Sequence, residues 1–174
     1  MIFRPLTPAD LPRAVEIVAT ARAYLGRQGL DQWQDGYPQE EVLRADIEAG
    51  DAYGIEDDDG TLMSICAVIF GGDPVYDVIR DGAWLSDREY VAVHRVAVDN
   101  ARVRRGYASR MFAGAQALAD ARGIRALRID THPGNLPMQK TLAKNGFMRC
   151  GIVILPGDPA VRGSRERVAF EKDW

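Results

Sequence analysis

Residues 89–120 constrain this chain more than any other stretch. "EYVAVHRVAV" (89–98) is rich in β-branched residues and ends at the turn residues "DNAR", so it reads as a strand. After Gly106, apolar side chains fall at Ala108, Met111, Phe112, Ala115, Leu118 and Ala119, the spacing of one buried helix face, up to Gly123. Between the two lies "VRRGYASRMF" (103–112). A helix entered through that turn presents unpaired backbone N–H groups and the positive end of its dipole, which together favour an anion. Gly106 leaves room there, Ala108 is small, and Arg102, Arg104, Arg105 and Arg110 add charge. The same residues also suit a plain strand-to-helix turn with solvated arginines. No Gly-Lys-Ser/Thr follows as in a P-loop, and the first two glycines of a dinucleotide fingerprint are missing.

The rest of the chain frames that unit. "IFRPL" (2–6) reads as a strand, and "TPAD" (7–10) as a helix start with Thr7 as cap and Pro8 at the first helical position. A helical stripe then runs to about Leu25, followed by the irregular "GRQGLDQWQDGYP" (26–38) and a second helix from Gln39 to Ala49 that stops at Gly50. A hairpin turns at Asp59–Gly60, and a long connection (71–87) includes a helical turn near Val75–Arg80. Strand 125–130, a helix from Asn135 to Gly146, and strands 147–155 and 165–172 complete the order β-α-α-β-β-β-α-β-α-β-β.

The 174 residues fit one domain over 1–174, and 47% hydrophobic with 27% charged residues is ordinary for a soluble protein. A net charge of −3 argues against general nucleic-acid binding. The longest apolar run, Ile65–Phe70, is too short to span a membrane, and no signal-peptide core precedes the first strand. The expected compartment is therefore cytoplasmic. Cys66 and Cys150 read as buried free thiols, and no His, Cys and carboxylate spacing suggests a metal site.

"VHRVAVDNARVRRGYASRMFAGAQALADARG" followed by "LRIDTHPGNLPMQKTLAKNGF" resembles the GCN5-related N-acetyltransferase (GNAT) superfamily. The resemblance covers nearly the whole chain. It implies a mixed α/β (α+β) acyl-CoA N-acyltransferase fold with helices on both faces of a largely antiparallel sheet, splayed between its fourth and fifth strands. It also implies acetyl-CoA as co-substrate, with its pyrophosphate on Val103, Arg104, Arg105, Gly106, Tyr107, Ala108 and Ser109. Val103 stands where the family usually has Arg or Gln, so a side-chain contribution falls to Arg104 or Arg105. Val96 and Val98 would offer backbone groups to the pantetheine arm, and Asn135 would both cap its helix and bond that arm.

The resemblance further places the general base four residues before Val98, at His94, with Glu89 in reserve. Strand alternation puts His94 on the face of Val96 and Val98, and imidazole suits the task. A histidine satisfied by a neighbour is the structural alternative. The usual tyrosine acid is replaced by Leu142, leaving His132, Cys150 or Tyr107 as candidates. Asp130 and His132 would pair as a loop clamp.

Trp33, Tyr37, Tyr76 and Trp84 lie on irregular segments that suit an acceptor pocket or anchor loops to the core. Asp31, Asp35, Asp77 and Asp81 would favour a cationic amine there. The expected reaction is direct acetyl transfer in a ternary complex to a primary amine of a small molecule or peptide. A non-catalytic acyl-CoA-binding module and a nucleotide-binding protein are the rivals. The C-terminal strand is a candidate for pairing across a homodimer.

Overall fold

A computed structural model describes residues 1–99, 105–157 and 164–174. Seven strands form one sheet in the order β1-β2-β3-β4-β5-β7-β6. They are β1 (Ile2–Pro5), β2 (Ala52–Glu56), β3 (Leu62–Ile69), β4 (Val91–Val98), β5 (Ala126–Thr131), β6 (Met148–Ile154) and β7 (Glu166–Asp173). Four helices accompany it: α1 (Leu11–Arg27), α2 (Glu40–Ala49), α3 (Tyr107–Asp120) and α4 (Leu136–Lys144).

The punctuation expected from the sequence is present. Asp10 Oδ2 accepts from Thr7 N at 2.8 Å and Thr7 Oγ1 at 2.9 Å, tying a 3₁₀ turn (Pro8–Asp10) to the start of α1. Gly50 closes α2 in the left-handed conformation that glycine adopts at low cost. The connection after β3 holds a shorter helical turn than expected, Pro74–Asp77, with Asp73 as its cap.

One core lies between the sheet and α3. Met111, Phe112 and Ala115 pack there with Val91, Val93 and Leu127. Each large side chain so buried contributes roughly 1.5–3 kcal/mol. A second core packs Ile17 and Val18 of α1 and Leu43 of α2 on Ile65 and Ala97. A third and smaller cluster joins Tyr76 to Ala92, Val153 and Ala169.

Every neighbouring pair of strands is antiparallel except β4 and β5. Among the described residues that parallel ladder has two pairs, Val91↔Leu127 and Ala92↔Arg128. Beyond them the strands part, and the sheet opens as the resemblance implied.

A bulge corrects the expected alternation on β4. Its register with β3 runs from Ala67↔His94 to Ile65↔Ala97, so Arg95 and Val96 together stand opposite Cys66. Arg95 has φ 54°, and Asp46 of α2 holds its guanidinium through Nε at 2.6 Å and Nη2 at 2.8 Å. Val96 and Val98 pack with the α3 core, whereas His94 stacks beside Tyr76 on the other face. His94 therefore does not share a face with Val96 and Val98.

The C-terminal strand also differs from expectation. β7 is bonded to β5 on one side and β6 on the other, so it has no free edge for a homodimer partner.

Candidate active site

Where β4 and β5 separate, a cavity of about 1090 Å³ opens through the sheet. The start of α3, residues 106–109, forms part of its wall together with Val96, Val98 and Asn135. Gly106 caps α3 with φ 78°, and a Cβ built on it would meet nothing within 4 Å. The first intrahelical bond runs from Arg110 N to Gly106 O at 3.0 Å. The amides of Tyr107, Ala108 and Ser109 precede it and have no intrahelical acceptor. A helix start of this kind, with its amides turned toward open space at Gly106, is the geometry that binds anions.

Val103 and Arg104 lie outside the described residues. Arg105 is half exposed, with Nη1 3.4 Å from Asp57 Oδ2. The Tyr107 ring is buried and its hydroxyl donates to Asp57 Oδ2 at 2.9 Å, so its side chain is turned away from the cavity opening. Asp57 thus anchors the helix start to the β2–β3 turn. Ser109 Oγ accepts from Asn145 Nδ2 at 3.0 Å. Asn135 caps α4 by accepting from Met138 N at 3.2 Å, and its Nδ2 donates to Gln32 at 3.4 Å.

On the opposite side, His94 lines the cavity beside Asp73. His94 Nε2 lies 2.9 Å from Asp73 Oδ2. The ring nitrogen does not meet hydrogen-bond geometry with that oxygen, so the two are in close contact without a directed hydrogen bond. The neighbouring imidazole holds the Asp73 carboxyl below its usual range, against the opposing effect of burial. Asp73 Oδ1 accepts from Val75 N at 2.8 Å, which fixes the carboxylate in place.

Trp33 and Tyr37 line the cavity, and Tyr37 OH accepts from Arg95 Nη1 at 3.0 Å. Tyr76 and Trp84 do not line it. Tyr76 is 2% exposed, and Trp84 Nε1 donates to its carbonyl at 2.9 Å with the rings 5.3 Å apart. Their large apolar rings are stabilised by burial under the connection, where they act as anchors. The Tyr76 hydroxyl reaches the cavity wall indirectly, donating to Asp130 Oδ1 at 2.7 Å.

The expected Asp130–His132 clamp is replaced by two separate contacts. Burial pushes the Asp130 carboxyl up, with His94 working in the other direction. His132 Nε2 instead lies 2.9 Å from Asp31 Oδ1, and Asp31 Oδ2 accepts from Ser164 N at 2.6 Å. Of the four loop aspartates, Asp35 lines the cavity, Asp31 is engaged in that clamp, and Asp77 and Asp81 are exposed away from it.

Glu89 is exposed, precedes β4 and is not part of the wall. Leu142 is fully buried in the α3 core. Cys150 lies off the cavity with its thiol pushed up by burial, and Tyr107 OH is committed to Asp57. Asp73 and Arg167 are wall residues that the sequence did not single out, and Asp130, expected only as half of a loop clamp, also lines the wall. Only Asp73 carried a local signal, as the residue before Pro74 at a cap position.

Among the described residues no group of three or more His, Cys, Asp or Glu is placed to hold a metal, and no helix is long and apolar enough to cross a membrane.

The sequence matches the model of the acetyltransferase (GNAT) family over residues 16–147. Among solved structures, a GNAT-family acetyltransferase from Streptococcus agalactiae 2603 is 35% identical, with a TM-score of 0.86 over 99% of this chain and 95% of that one. A GNAT-family acetyltransferase from Listeria monocytogenes 4b F2365 shares the fold at 18% identity and TM-score 0.70, over 99% and 94% of the two chains. So does a PaiA N-acetyltransferase from Thermoplasma acidophilum in complex with coenzyme A, at 16% identity and TM-score 0.67, over 99% and 98%. None of the curated proteins matches the sequence. With a split sheet, an open helix terminus beside the split and a family match across most of its length, the chain belongs to the GNAT acetyltransferase family.

Proposed function

We propose that this protein transfers an acetyl group from acetyl-CoA to a primary amine by direct attack in a ternary complex. The observation that carries this reading is the split between β4 and β5, which joins the N-terminus of α3 to His94 in one cavity. Family membership supports acyl transfer from an acyl-CoA to an amine. The acetyl group, the ternary complex and the residue roles are this reading's own.

Acetyl-CoA, when bound, supplies a thioester carbon open to attack by an amine nitrogen. Gly106 and the amides of residues 107–109 hold the pyrophosphate, and Arg105 adds charge at the rim. The bulge takes Val96 out of the β3 ladder, leaving its backbone N–H to polarise the thioester oxygen. Val98 and Asn135 offer further groups along the arm.

His94 is the base. Its Nε2 is sealed against Asp73, so Nδ1 is the nitrogen that accepts the proton of the attacking amine. Asp73 acts on the reaction through His94, its carboxylate offsetting the imidazolium charge that forms when the base takes a proton. The nitrogen–carbon bond forms as the carbon–sulfur bond breaks, and the thiolate takes its proton from solvent. Trp33, Tyr37 and Asp35 form the acceptor side.

Thermal unfolding with acetyl-CoA, CoA, ATP and NAD in parallel tests the binding part. The expected result is stabilisation by the two CoA species alone; stabilisation by ATP or NAD instead would overturn it. A screen of amines for released thiol then tests transfer. Binding of CoA with no thiol released by any amine would favour a non-catalytic acyl-CoA-binding module, the reading that the buried Leu142 supports.

A further inference from the structure

One arginine in the cavity wall has no carboxylate at ion-pair distance among the described residues. Arg167 is 8% exposed, and its Nη1 donates to the backbone carbonyls of Ser164 and Glu166. Its Nε and Nη2 make no hydrogen bond and it has no carboxylate partner among the described residues. Other arginines in the interior are treated differently: Arg95 is held by Asp46 at 2.6 Å, and Arg128 lies 3.5 Å from Glu171. A guanidinium taken out of water without a counter-ion is costly. Burial pushes the Arg167 guanidinium down, while the charges of Asp130, Asp31 and Asp35 oppose that shift from a distance.

The sheet register places this arginine relative to the proposed base. Asp130 of β5 is paired with Ala169 of β7, and Arg167 lies two residues before Ala169. Alternation therefore puts Asp130 and Arg167 on one face as diagonal neighbours, roughly 7–8 Å apart at the backbone. Ala92 of β4 and Ala169 share a cluster on that face with Tyr76, which bonds Asp130 and stacks on His94. His94, Asp130 and Arg167 thus cross the floor of one cavity on three successive strands, β4, β5 and β7. A cation attractor and an anion attractor stand side by side, next to the base.

We infer that the acceptor is an amine carrying its own carboxylate, an α-amino acid, whose carboxylate is bound by Arg167 and whose amino group lies at Asp130 within reach of His94. The guanidinium edge left without a bond, facing the cavity, suits a carboxylate, which accepts paired N–H bonds from such a fork. The short span between Asp130 and Arg167 suits an amine and a carboxylate on one carbon. This inference rests on the proposed amine acetylation, and it adds the chemical class of the acceptor.

The test compares proteinogenic L-amino acids with their decarboxylated amines, such as L-phenylalanine with phenethylamine and L-leucine with isoamylamine. Calorimetric binding in the presence of CoA and thiol release from acetyl-CoA are both read on the full chain. The expected result is a preference for at least one amino acid over its amine by about tenfold or more in kcat/KM and in affinity. Arg167→Met should erase that preference, and Arg167→Lys should retain part of it as a point charge. The wild-type comparison decides even if a variant fails to fold. Amines used as well as or better than every amino acid would overturn the inference while leaving acetyl transfer standing, and so would an amino-acid series that neither binds nor reacts. Amino acids that bind through Arg167 without releasing thiol would instead overturn the transfer reading and uphold the carboxylate site.

Discussion

His94 Nε2 and Asp73 Oδ2 stand 2.9 Å apart, one on β4 and the other at the cap of the turn that closes over it. The carboxylate is held by Val75 N through its other oxygen, so its position does not depend on the histidine. Asp73→Asn would preserve that backbone bond and remove the charge beside the ring. We expect kcat to fall on the order of tenfold to a hundredfold, less than for a fully buried triad carboxylate, with KM for acetyl-CoA unchanged. His94→Ala should cost roughly 10²–10⁴ in kcat. Steady-state kinetics of both variants check this, and full turnover by His94→Ala would remove it as base.

Gly106→Ala separates backbone from ligand effects. Among the described residues nothing lies within 4 Å of the new Cβ, but φ of 78° is unfavourable for alanine. A stability loss of roughly 1–2 kcal/mol is expected from the left-handed conformation. The methyl would also enter the space before the amides at the start of α3, so CoA affinity should fall further than stability. Urea unfolding and calorimetric titration with CoA measure the two separately.

Arg95 and Asp46 lock the β4 bulge to α2. Asp46→Ala would leave the arginine's charge unpaired in the interior, at a cost of about 3 kcal/mol. Because the bulge frees Val96, the surviving folded protein should also show a lower kcat. A variant with unaltered stability in urea would show that the pair is not what holds the bulge.

Asp130 carries a pH signature. Its carboxyl is pushed up by burial, so between the unfolded and folded values the native state holds a proton that the unfolded chain has already released. Stability attributable to this group is therefore greatest below the unfolded value and declines as pH rises toward the folded one. Asp130→Asn keeps an acceptor for Tyr76 OH and abolishes the ionisation. The variant should be at least as stable as wild type at neutral pH, with a flatter stability profile across the mildly acidic range, while losing acceptor affinity. Thermal unfolding across pH tests the sign.

Burial pushes the Cys66 thiol up to about 12, and the Cys150 thiol is also pushed up. Neither should react with iodoacetamide in the native protein at pH 8, where little thiolate forms. Mass spectrometry should detect alkylation of both only after unfolding.

Much of this architecture was legible in the amino-acid order because its signals are local. Thr7 with Asp10, Gly50, Gly106 and Asn135 mark helix ends through bonds or backbone angles set within a few residues. Apolar spacing at Met111, Phe112 and Ala115 identified the buried face of α3 in the same way. Those preferences hold whatever the chain later packs against, so element order and the helix terminus beside the split could be read directly.

Tertiary structure alone decided how the elements meet. The bulge at Arg95 and Val96 turned His94 away from the face of Val96, because one extra residue reverses every later side chain of a strand. Tyr76 and Trp84 became anchors, since large rings on a connection are stabilised more by burial than by lining a wet cleft. The insertion of β7 between β5 and β6 brought Arg167 beside Asp130, and closure of the 3₁₀ turn brought Asp73 to His94. The composition of the acceptor site depends on register and packing between residues distant in the chain, and no local preference encodes those.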